Sequence, residues 1–66
     1  MRNNLKEFRR KLGLSQEEMG AMFNLTRQQW CNIESGQRKG SGEFWVRLQK
    51  KFGLTADETL KLMEVS

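Results

Sequence analysis

Proline, histidine and tyrosine are absent from these 66 residues, and there is one cysteine, Cys31. One thiol excludes an internal disulfide, and one thiol without imidazole excludes a zinc site built from protein ligands alone. A cysteine nucleophile would also lack its usual base, so Cys31 reads as a small passive side chain. The carboxylates belong to helix caps, so no catalytic pair is available. We therefore expect no enzymatic activity, no cofactor, no metal and no small-molecule substrate. Long apolar runs are missing too: no stretch approaches the roughly 18 residues of a membrane span. No run of β-branched residues argues for strands.

What is present suits one small helical domain over residues 1–66. A chain this short buries only about 60% of its unfolded surface, so the core must be compact hydrocarbon. Phe8, Phe23, Trp30, Phe44, Trp45 and Phe52 supply the bulk. Residues 1 to 11 already read as an amphipathic helix rather than a secretion leader, and a lone thiol fits a reducing cytoplasm. The charge is +4 overall but comes in blocks. Arg2, Lys6, Arg9, Arg10 and Lys11 against Glu7 give one basic stretch; Arg38, Lys39, Arg47, Lys50 and Lys51 against Glu43 give another. The tail beyond Phe52 is acidic. A basic body with an acidic end suits a polyanionic partner on one side and something else on the other.

The chain repeats one helix-start signal at Leu14-Ser15-Gln16-Glu17-Glu18-Met19 and Leu25-Thr26-Arg27-Gln28-Gln29-Trp30. In each, the hydroxyl can accept from the third following backbone N–H, and Glu18 or Gln29 can reach back to the cap. Leu14 with Met19, or Leu25 with Trp30, can staple the entry. The spacing leaves the first of these helices only Gln16 to Phe23 before Asn24 ends it, which makes a helix-turn-helix. An earlier helix, Asn4 to Leu12, turns Leu5, Phe8 and Leu12 inward and stops at Gly13. The helix after the turn, Arg27 to Ser35, buries Trp30 and Ile33 and stops at Gly36. Its opposite face carries Arg27, Gln28, Cys31, Asn32 and Ser35. A basic loop, Gln37 to Gly40, precedes a helix from Ser41 to Phe52 with Trp45, Leu48 and Phe52 on one stripe. Thr55 and Glu58 form a third capping box for a last helix. Its Leu60, Leu62, Met63 and Val65 exceed one buried face and so suggest a partner surface. Gly20 costs about 1 kcal/mol inside a helix, which implies close approach by another backbone. Leucine at position 20 should therefore disrupt the fold, while alanine should be neutral or slightly stabilising.

The order Leu-Ser-Gln-Glu-Glu-Met-Gly, then Asn-Leu-Thr-Arg-Gln-Gln-Trp, then Ile-Glu-Ser-Gly-Gln-Arg resembles the helix-turn-helix family of phage Cro and repressor proteins, over Arg9 to about Glu58. The resemblance implies an all-α, five-helix lambda-repressor-like bundle and a sequence-specific regulator of transcription that binds a double-stranded DNA operator as a homodimer, more often a repressor. The helix from Arg27 would be the recognition helix, with Arg27, Gln28, Cys31 and Asn32 reaching base edges. Gln16, Ser35, Gln37, Arg38 and Lys39 would hold phosphates. The family also pairs an arginine of the first helix with the glutamate of the Ile-Glu-x-Gly segment, here Arg9 with Glu34. Gly20 stands where the family usually has alanine, Asn24 where it has glycine, and Trp30 where it has an aliphatic residue. The resemblance leaves open an antitoxin or controller whose last helix takes a protein partner, or an interaction module without DNA. Trp30, Ile33, Trp45 and Phe52 read as core, and Arg2, Lys50, Lys51 and Lys61 as solubilising charge.

Overall fold

A computed structural model describes residues 1–66. It contains five helices and no strand: α1 (Asn3–Lys11), α2 (Gln16–Ala21), α3 (Arg27–Ser35), α4 (Gly42–Phe52) and α5 (Ala56–Met63). Local chemistry sets most of the helix ends. Ser15, Thr26 and Thr55 each accept from the amide three residues on, and Glu18, Gln29 and Glu58 each accept from the backbone N–H of the cap. Ser41 caps α4 through the Phe44 amide at 3.0 Å.

α2 ends at Ala21, two residues short of the expected Phe23, because its last turn is tightened by the chain reversal that follows. Asn24 takes the left-handed conformation (φ 58°). Its amide donates to the Ala21 carbonyl at 3.2 Å, the Phe23 amide donates to Gly20 at 2.9 Å, and the Leu25 amide also reaches Gly20 at 2.9 Å. Such nested bonds satisfy the orphan carbonyls of a helix end, and asparagine adopts this conformation more readily than other residues with a side chain. α1 closes in the same way at Gly13.

Nine buried side chains form the core: Leu5, Met19, Phe23, Trp30, Ile33, Phe44, Trp45, Leu48 and Leu62. Phe23 stacks on Trp30 with ring centroids 6.2 Å apart, and Phe44 meets both rings edge-on at 5.4 and 5.8 Å. Two expectations about apolar side chains need correction. Leu12 is exposed, because α1 ends before it and turns it outward. Leu62 is core rather than partner surface, since α5 packs along α1 and directs it inward. Met63 is half-buried against the same core, while Leu60 and Val65 remain exposed.

The close approach at Gly20 is present. A Cβ there would lie 3.0 Å from the Leu25 carbonyl, 3.2 Å from that of Thr26 and 3.3 Å from the Trp30 Cβ. Two of these neighbours are backbone of the turn itself and yield little. An alanine there gains helix propensity but meets three simultaneous tight contacts, so its neighbours must give by a few tenths of an ångström to admit it.

Candidate nucleic-acid interface

α3 carries two faces of opposite character. Inward, Trp30 is wholly buried and Ile33 nearly so; outward, Arg27 and Gln28 are exposed, with Cys31 and Asn32 half-buried beside them. Gln28 Nε2 donates to Asn32 Oδ1 at 2.9 Å, one helical turn on. This leaves the Gln28 carbonyl oxygen and the Asn32 amide hydrogens without intramolecular partners, as a linked acceptor and donor. Cys31, a free thiol, lies half-buried on the same face.

Beyond the end of α3 the chain folds back on the helix. Ser35 Oγ donates to the Asn32 carbonyl at 3.1 Å and accepts from the Gln37 amide at 3.4 Å, so it ties the loop rather than facing outward with free valences. The Arg38 amide also donates to the Asn32 carbonyl, at 3.1 Å. Gln37, Arg38 and Lys39 are exposed, and neither cation of the loop has a carboxylate partner, nor does Arg27. An open groove lined by Gln29, Asn32, Arg38, Lys39 and Ser41 separates the loop from α3. The result is a convex polar helix face flanked by unpaired positive charge. Its chemistry matches base edges bordered by phosphates.

The orientation of α3 is fixed from behind by Glu34, which is 2% exposed. Its carboxylate accepts from Arg9 Nε at 2.9 Å and Nη2 at 3.1 Å, from Trp30 Nε1 at 2.6 Å and from Gln16 Nε2 at 3.3 Å. Burial alone would raise its pKa. The hydrogen bonds from Arg9 and Trp30, the Arg9 charge and the Gln16 amide outweigh that and hold it below the usual carboxylate range. Arg9 thus joins α1 to α3, and its remaining Nη1 donates to the Leu14 carbonyl at 2.7 Å. Gln16 gives one of its two amide hydrogens to this cluster, which ties α2 to α3 and leaves one hydrogen for any phosphate. The role of Trp30 was not legible from its place in the apolar stripe: the indole needs a buried acceptor, and Glu34 lies four residues on, one turn away.

Arg2 is not solubilising charge. It is 5% exposed, and its guanidinium donates to four backbone carbonyls: Ile33, Arg38 at 2.7 Å, Lys39 at 3.3 Å and Met63 at 3.0 Å. It also lies 5.5 Å from the centre of the Trp45 ring. Carbonyl acceptors depend on no side-chain identity, so no sequence pattern marks them. Lys50, Lys51 and Lys61 are exposed, as solvated charge should be.

The family model described as a helix-turn-helix domain matches residues 2–62. A protein of Bacillus subtilis (strain 168) named as an uncharacterized HTH-type transcriptional regulator, YgzD, is 33% identical over 64 residues, which cover 97% of each chain. No solved structure matches.

Proposed function

The chain belongs to the helix-turn-helix domain family, and from that premise we propose that it is a transcriptional regulator reading double-stranded DNA with α3. The observation that carries the reading is the exposed polar face of α3, with Arg27 and Gln28 at its first turn and the unpaired cations Arg38 and Lys39 beside its last. Arg27 takes a guanine through two hydrogen bonds, the linked Gln28 and Asn32 amides take an adenine, and Cys31 touches a thymine methyl. Gln16, Gln37, Arg38 and Lys39 serve the backbone, the last two through charge and the first two through amide donors, while Ser35, whose hydroxyl hydrogen goes to the Asn32 carbonyl, holds the loop in place.

In finer detail we propose a repressor of the Cro type acting in the cytoplasm as a homodimer, with residues 1–66 as one unit. One α3 reads too few bases for a unique site, and two copies on half-sites about 34 Å apart remedy this. The exposed Leu60 and Val65, with half-buried Met63, supply the apolar side of the contact, and the same surface would serve a protein partner in the alternative reading.

Selection of duplexes from a random pool, followed by titration at several salt concentrations, tests the proposal. If each protomer neutralises about four phosphates, log affinity falls against log salt with a slope near −7. Replacing Arg27 and Gln28 by alanine should cost about 1 to 3 kcal/mol of discrimination for each base pair read, with less effect on non-selected duplex. Equal affinity for all duplexes before and after the substitution would refute it.

A further inference from the structure

The guanidinium of Arg2 sits where several chain ends converge. Two of its acceptors, the carbonyls of Ile33 and Met63, lie in the last turns of α3 and α5, where helix dipoles place partial negative charge. The other two belong to consecutive loop residues, Arg38 and Lys39. The Arg2 amide donates to the Glu34 carbonyl at 2.8 Å, so main chain and side chain grip the end of α3 together. No carboxylate pairs with it: a buried cation is held by carbonyls alone. Burying a charge in this way is costly, and the four charge-assisted bonds to carbonyls offset that cost. The carbonyls explain the arginine, because a planar fork can reach acceptors in several directions and a lysine cannot.

The loop has few other fixings. Arg2 is the sole intramolecular donor to the Arg38 carbonyl. The Lys39 carbonyl is shared between Arg2 and Trp45 Nε1, the latter at 3.0 Å. Holding those two successive carbonyls inward sets the peptide planes on either side of Lys39. It thereby turns the Arg38 and Lys39 side chains outward beside α3.

We propose that Arg2 is a positioning residue for duplex binding: from beneath the loop it fixes Arg38 and Lys39 at a set place relative to α3, so that their phosphate contacts need no ordering on binding. This rests on the DNA-binding reading above. Arg2 touches no nucleic acid, and its effect runs through the loop cations, so it governs affinity and salt dependence without governing which bases are read.

The test is a cycle of Arg2→Met, or Arg2→Lys where the methionine variant does not fold, against the Arg38→Ala/Lys39→Ala pair. Binding to the selected duplex is titrated over a range of salt. In the otherwise natural protein, Arg2→Met should weaken binding about tenfold and make the salt slope shallower by about 2 per dimer, with the ranking of duplexes unchanged. Arg2→Lys should fall between the two. In the Arg38→Ala/Lys39→Ala background, the Arg2 substitution should change affinity within about twofold. Equal losses in both backgrounds, or natural affinity and slope in Arg2→Met, would overturn the proposal. A natural protein without salt-dependent duplex binding would instead remove the reading on which it rests.

Discussion

Glutamine at position 34 is the sharpest perturbation of the cluster behind α3. Glu34→Gln keeps the shape and one acceptor for the Trp30 indole. It removes the charge that faces Arg9 and turns an amide NH2 toward groups that also donate. Removing one partner of a buried ion pair costs about 3 to 5 kcal/mol. The two side chains are 12% and 3% exposed, so solvent reaches the Arg9 end and the lower figure, about 3 kcal/mol, applies. For a domain of this size, 1 kcal/mol moves Tm by roughly 4 to 8 °C, so the expected fall is about 12 to 24 °C. Thermal and urea melts followed by circular dichroism measure it. The same residue has a pH signature. Glu34 titrates below its ordinary 4.5 in the folded state, so its stabilisation is complete above about pH 4.5 and is lost as pH falls through the lower folded value. Glu18 and Glu58, held low by their caps, act in the same direction in both proteins. The difference between natural and Glu34→Gln protein should therefore shrink as the solution is acidified below that point. A loss under about 1 kcal/mol, the range of a surface pair, or a difference indifferent to acid, would refute the reasoning.

Gly20→Leu should abolish cooperative melting, and Gly20→Ala should lower stability by about 1 kcal/mol, the overpacking at the turn exceeding the helix-propensity gain; a leucine variant that melts like the natural protein would exclude the close approach as a constraint. Truncation after Asp57 removes Thr59 and Leu62 from the interior and the Met63 carbonyl from Arg2, so it should unfold the chain rather than merely separate a dimer. Leu60→Asp is the cleaner probe: it should hold stability within about 0.5 kcal/mol while reducing dimer in sedimentation, and undiminished dimer would move the interface elsewhere.

Most helix starts and stops were legible in the order of residues alone. Three capping boxes, the left-handed Asn24 and the terminating glycines are written in residues three to six apart, where a side chain or a missing Cβ acts on its own stretch of backbone. The polar face of α3 followed from the same short-range periodicity, and the Arg9–Glu34 pair from the family resemblance. Tertiary structure decided what depends on distant chain. It chose Leu62 for the core and left Leu60 outside, and it brought the Gln16 amide to Glu34. Above all it buried Arg2. A cation whose partners are peptide carbonyls leaves no complementary residue to look for, since every amino acid carries the same carbonyl; only the folded path of the chain brings those of Ile33, Arg38, Lys39 and Met63 to one point.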